Sequence, residues 1–485
     1  MKIDFLTEPE LEFGAGRHID IRFGLMNYGP LDMAGESAPR VIRCGVVGTA
    51  DTVEGLVEWL ERCMKEIPGK ATDKPNLFPR FPGFNPDVAF RSTLVIEPRL
   101  RRTIARRSFD EMGRRVGHNE FVRESVELFQ SECTYLVEQS ACDVILCAVP
   151  AALADLMGHE EQAGEGEELH QAPRSAEVSL DFHHLLKARL MSLGKPIQLV
   201  LPATYDPQRR RRQTNRPERL RQLQDGATIA WNLHTALYYK AGGAPWRLVR
   251  DPTQLATCYV GVSFFESLDR GALLTSMAQV FDERGDGLIV RGGPVEVSKK
   301  DRQPHLTEDD SARLAKQALR QYRAEHKTLP ARVVVCKTST FTSAELAGFR
   351  GAATEENVDT IDLLSAGWSL SDARLFRRGV YPPLRGTFVS LDSRSHVLYT
   401  RGSVEFFATY PGMYVPWPFA FRCEAVEQTP KQLAREILAL TKMNWNKTQF
   451  DGGQPITVEA ARKVGRILKY TDEGQQIAAR YSFYM

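Results

Sequence analysis

Apolar residues along this chain follow two rhythms, and the change between them near Pro245 divides it. From residue 40 onward, short continuous apolar runs alternate with amphipathic stretches. The pattern predicts a strand over 40–47, a helix over 52–65, a long helix over 119–139 and a strand over 143–149. Continuous apolar strands set between helices are buried on both faces, so an α/β domain on a parallel sheet is expected. The rhythm resumes with a helix over 182–193, a strand over 197–201 and a helix over 230–241, which Gly242 and Gly243 stop. Before residue 40, the segment 11–32 breaks short apolar runs with Gly and Pro and is expected to form paired strands bridging two domains.

Beyond Pro245 strands succeed one another over 257–264, 272–281 and 287–291, followed by a charged helix over 309–326 and a strand over 331–337. Three consecutive strands, a helix and a further strand is the order of a ribonuclease H-like domain. A helix follows, opened by a capping box in which Thr342 and Glu345 satisfy each other's backbone donors. A hairpin around 390–395, a helix after Thr429 and Pro430, and a last helix over 458–470 complete the reading. The expected division is a strand segment at 1–38, one α/β domain at 39–250 and a second at 251–485.

Composition adds little to that picture except at local scale. A chain of 485 residues, 42% hydrophobic and 26% charged, fits a globular protein of two or three domains. Because 63 Lys and Arg stand against 61 Asp and Glu, net charge announces no polyanion partner. Charge is nevertheless segregated, with seven arginines between Arg99 and Arg115, seven between Arg209 and Arg221, and an acidic stretch at 160–168. Each basic cluster reads equally as a solvated face or as a nucleic-acid groove. Residues 158–174 carry almost no large apolar side chain and are expected to be a flexible loop. The eight cysteines form no C-x-x-C pair, and no apolar leader or membrane span stands out, so a reduced, cytoplasmic protein is expected.

Candidate chemistry concentrates in two places. Asp181 is a good N-cap, and Phe182, Leu185, Leu186, Leu190 and Leu193 then form an inward stripe, with His183 and Lys187 one turn apart beside it. An imidazole and an ammonium on one edge can both donate to a phosphate. Gln198 on the next strand, and Asn232 and Lys240 on the helix WNLHTALYYKAGGAPW, complete the set. The pattern His183, Lys187, Gln198, Lys240 resembles the MID pocket with which Argonaute proteins anchor the 5′ phosphate of a guide strand. LEFG, GLMNYGPLD, KTSTFTSAELAGF, YPGMYVPWPFAFR, and the run from LTKMNWNKTQF to the final YSFYM are also similar to that family, in its order.

The resemblance is to short prokaryotic Argonautes, and it implies a Rossmann-like MID domain followed by a ribonuclease H-like PIWI domain, with no PAZ domain. It further implies a Mg2+ ion in the phosphate pocket held partly by the C-terminal carboxylate, here that of Met485. A short guide, RNA by preference, and a complementary DNA target are the implied partners, with an APAZ-containing effector protein as a heterodimer partner in antiviral and plasmid defence. Thr441, Asn444 and Asn446 are the implied contacts to nucleic-acid backbone, with Trp445 open between base contact and packing.

Ribonuclease H chemistry needs carboxylates around two metal ions. The family places them in YVGVSFF and VVVCKTS, where this sequence has Ser263 and Thr338. Neither hydroxyl supplies a carboxylate's charge, so no target cleavage is expected. Two alternatives stand beside this reading. One is an active PIWI endonuclease using unconventional carboxylates among Glu266, Asp269 and Glu345. The other is a small-molecule α/β enzyme, although GVVGTADT lacks the G-x-G-x-x-G of a nucleotide loop.

Overall fold

The computed structural model describes residues 2–157, 179–206, 224–249, 253–280, 287–367, 373–379, 382–410, 412, 415–449, 452–472, 474–475 and 477–485. The predicted loop at 158–174 and the second arginine cluster, at 209–221, lie outside the described residues. So do Pro411, Met413 and Tyr414 of YPGMYVPWPFAFR.

The alternating half forms a parallel five-stranded sheet. Strand Val41–Thr49 pairs on one side with Val144–Ala148, and on the other with Thr93–Val95 and then Arg101–Ile104; Ile197–Val200 extends the sheet beyond Val144–Ala148. Val144–Ala148 is buried at every position, as a strand covered on both faces must be. The two strands at the edge are short and irregular in pattern, and the hydrophobic periodicity gave no sign of them.

The second half builds a ten-stranded sheet. Thr257–Glu266, Leu273–Val280 and Gly287–Val297 run antiparallel in sequence, helix Glu308–His326 crosses over, and Arg332–Lys337 returns parallel to the first strand. This is the ribonuclease H order expected. Thr360–Gly367 then adds in parallel, and Phe419–Ala425, Ser395–Leu398 and Thr387–Ser390 follow antiparallel. Strand Lys2–Phe5, from the other end of the chain, closes that edge by pairing with Thr387–Ser390.

The segment 11–32 departs from the expected strands. Only Leu11–Glu12 and Arg17–His18 pair, joined by Arg247–Leu248 in a three-stranded sheet, and Ile21–Tyr28 is a helix. Asp20 caps it by accepting from the Arg22 and Phe23 amides, and Gly29 ends it at φ 67°. Gly24, read as a breaker, is there for packing, since a Cβ on it would stand 2.1 Å from the Phe13 ring. The capping box at Thr342 and Glu345 is present as predicted.

One hydrophobic core joins the two halves near the site. It contains Val46, Ile145, Leu186 and Leu237 from the first sheet and its helices, together with Ile456, Val464, Tyr484 and Met485. Helix Ile456–Leu468 can lie against strand Thr257–Glu266 because Gly261 has no side chain; a Cβ there would stand 2.0 Å from the Thr457 carbonyl oxygen. That contact brings the last residues of the chain beside helix Phe182–Leu190.

Candidate functional site

Helix Phe182–Leu190 starts where Asp181 accepts a hydrogen bond from the His184 amide, and its Leu185, Leu186 and Leu190 stripe is buried. This fixes the azimuth of Lys187, which is itself only 3% exposed. Its ammonium donates to the main-chain oxygen of Met485, and to that of Tyr484 at 3.3 Å. Helix Gly226–Lys240 begins one turn earlier than predicted, at Asp225, whose carboxylate accepts from the Ala227 and Thr228 amides. Its last residue, Lys240, is 4% exposed and donates to Met485 O at 3.0 Å, to Ile197 O at 2.9 Å and to Gln198 Oε1.

Lys187, Gln198, Lys240 and Met485 therefore meet, although 298 positions separate the first from the last in the chain. His183 lies one turn before Lys187, its ring stacked on His184 at 5.2 Å with 13° between planes. Asn232 does not join them. Its side-chain oxygen accepts from the Thr448 amide and hydroxyl, both at 2.9 Å, so it holds the 446–449 segment against the helix.

Electrostatics mark the same spot. Burial, and then the neighbouring Lys240 charge, push Lys187 well below the ordinary lysine range. Burial brings Lys240 down to about 7. Burial and Lys187 also push His183 well below its ordinary value, which keeps the imidazole neutral. Two buried ammonium groups that share the Met485 oxygen form a receptor for an anion. The set also fits a hard cation's needs, because Gln198 Oε1 and the Met485 oxygen converge on one point, now taken by Lys240.

The second site is built from adjacent strands. Ser263 and Thr338 share one face, with Thr338 Oγ1 donating to Ser263 Oγ at 3.4 Å and the Thr338 amide to Val262 O at 3.0 Å. The three carboxylates named as alternatives are occupied or displaced. Glu345 is wholly buried, paired with Lys337, and accepts from the Leu306 and Thr342 amides at 2.8 Å each. Asp269 closes a turn by accepting from Ser267 and Gly271. Glu266 is exposed at the end of its strand, three residues from Ser263 and on the opposite face.

Farther along, Thr441 is buried and bonded to Arg385 Nη2 at 2.8 Å, and Asn444 is buried and bonded to Glu459 at 2.9 Å. Asn446 is half-buried. Trp445 packs edge-on against Tyr239, with ring centroids 4.6 Å apart, which makes it a core residue. In the first arginine cluster Arg99, Arg102 and Arg115 are spoken for by Glu97, Glu132 and Glu124. The sequence reading passed over Tyr484 as a partner of Lys187, and Lys442. The latter is a fully buried ammonium that binds Glu8 at 2.7 Å and Ile19 O at 2.9 Å, tying the leading segment to the second half. Buried lysines look like surface lysines in a sequence, so only their apolar neighbours hint at them. Among the described residues no helix is long and apolar enough to cross a membrane.

No family model and no curated protein matches this sequence. Solved structures do match. One is Clostridium butyricum Argonaute bound to a guide DNA (5′ deoxycytidine) and a 19-mer target DNA, with a TM-score of 0.65 at 13% identity over 98% of this chain and 53% of that one. Another is Drosophila Piwi, with a TM-score of 0.61 at 14% identity over 99% of this chain and 56% of that one. The chain thus spans about half the length of these proteins. At such identities the likeness is one of fold: a Rossmann-like domain followed by a ribonuclease H-like domain, the MID and PIWI pair that Argonaute and Piwi structures contain.

Proposed function

We propose that this chain is a guide-directed nucleic-acid-binding protein of the short prokaryotic Argonaute type. Residues 39–250 act as the MID domain, 251–485 as the PIWI domain and 1–38 as the segment bridging them. The 5′ phosphate of a short guide, RNA by preference, binds Lys187 and Lys240 with Gln198 beside them, and the first base rests on His183. One observation carries this reading: ammonium groups from two separate helices converge on a single buried oxygen, that of Met485. A phosphate has the charge and the multiple acceptors that such a pair lacks. In this reading Gln198 and the Met485 oxygen would hold Mg2+, which would supply positive charge beside the phosphate.

The guide then pairs with a complementary target, DNA by preference. Base pairing supplies specificity while the protein contributes phosphate contacts and shape. Of the C-terminal positions, Asn446 is the one we assign to the nucleic-acid backbone, and Thr441 and Asn444 act through the packing that shapes its loop. Ser263 and Thr338 leave the PIWI domain without two-metal cleavage. The output is binding, passed to an APAZ-containing effector partner in defence against plasmids or viruses.

The test compares 5′-phosphorylated and 5′-hydroxyl RNAs of one sequence on the purified protein. The phosphate should strengthen binding, and Lys187→Ala with Lys240→Ala should remove that increment. Each charge-assisted contact is worth about 1.5–3 kcal/mol, so the double variant should lose about a hundredfold or more. Equal binding of the two RNAs by the unaltered protein would sink the pocket assignment. Guide-programmed cleavage of a matched target in Mg2+ or Mn2+ by this chain alone would sink the assignment of Ser263 and Thr338.

A further inference from the structure

We propose that Asp181, His183 and His184 form a binding site for a zinc-class transition-metal ion, next to the lysine pocket and separate from the Mg2+ position. Each of the three offers one ligand atom, and these atoms lie within 4.8 Å of one another, the one such group among the described residues. Two imidazoles and one carboxylate, with a fourth position open, suit zinc and its neighbours, whereas Mg2+ favours oxygen alone.

Local structure prepares this set. Asp181 is fixed as the helix cap, and its Oδ1 also holds His184 Nδ1 at 2.8 Å. An ion entering between them would displace the proton of that bond and take Asp181 Oδ1 and His184 Nδ1 as adjacent ligands. The opposing influence is the nearby Lys187 charge, and that ammonium is held on the Tyr484 and Met485 oxygens.

A consequence follows that rests on the guide reading. His183 is the residue assigned to the first base, and an ion that takes its ring withdraws it from that base. Zinc and a guide should therefore compete.

The experiment uses the full chain stripped with a chelator, with Co2+ as a spectroscopic probe and Zn2+ in competition with a chromophoric chelator. One equivalent of Co2+ should produce the intense visible bands of a four-coordinate site. His184→Ala and Asp181→Asn, the second of which keeps the capping oxygen and the helix, should each weaken Zn2+ binding by at least about tenfold. Featureless Co2+ spectra, or unchanged affinity in both variants, would overturn the site. In a separate arm, Zn2+ should weaken binding of 5′-phosphorylated RNA to the unaltered protein and spare His184→Ala. Zn2+ that binds without affecting the RNA would overturn the competition. RNA that fails to bind in Mg2+ with no zinc present would instead count against the guide reading, and the Co2+ titration would still decide the site.

Discussion

Lys240 shows how a single buried side chain can link binding to pH. Its ammonium rests on three oxygens yet is held at about 7 by burial, against an ordinary 10.5. Between those values the unfolded chain binds the proton and the folded chain does not. Folding stability of the free protein should therefore rise with pH across that window, with Lys240 as one contributor. An incoming phosphate acts in the opposite sense, because its negative charge favours the ammonium and draws a proton in. The gain in affinity that a 5′ phosphate confers should shrink as pH rises from 7 to 9, by up to about tenfold for each pH unit while Lys240 is the group titrating. Fluorescence anisotropy with phosphorylated and hydroxyl-ended RNAs at each pH separates this from general charge effects. A constant phosphate increment over that range would remove Lys240 from the phosphate's contacts.

At the scale of elements, helix Ser343–Glu355 ties local and long-range order together through one residue. Glu345 completes the capping box with Thr342 and also neutralises Lys337, a lysine with no exposed surface. Replacing Thr342 with Ala should cost about 1 kcal/mol, the ordinary loss of a cap. Glu345→Ala should cost about 3–5 kcal/mol, because it leaves Lys337 buried without a partner. Urea unfolding of the two variants checks the ranking, and equal losses would mean that Lys337 finds another partner. The capping box was legible in the sequence because both its residues are local, as were the long helices and the strands buried on both faces. Helix Ile21–Tyr28 was not, since Gly24 looks like a breaker until Phe13 is seen against it. Thr360–Gly367 and Phe419–Ala425 were also missed, being strands whose partners come from distant parts of the chain. The site follows the same division. Lys187, Gln198 and Lys240 could be nominated from helical spacing and family pattern, while the oxygen they share and the diversion of Asn232 to Thr448 are tertiary facts.

At the scale of the whole molecule, the lysine pocket lies where the two sheets share a core. Lys187 and Lys240 come from helices of the first sheet, and Met485 is carried there with helix Ile456–Leu468, which packs on the second. A ligand anchored by both lysines and the Met485 oxygen is therefore held by both halves at once. Anything that binds only the folded state stabilises it by RT ln(1 + [L]/Kd), about 2.7 kcal/mol at a hundred times Kd. Because the anchor spans the shared core, that stabilisation should reach both halves. In calorimetry, 5′-phosphorylated RNA should raise the Tm of every transition the free protein shows, by roughly 2–4 °C per kcal/mol if each half behaves as a domain of 150–250 residues. A 5′-hydroxyl strand of the same sequence should do so less, and Lys187→Ala with Lys240→Ala should level the two. If the phosphate moves only one transition, the anchor belongs to one half, and the Met485 oxygen is then a structural contact that takes no part in holding the guide.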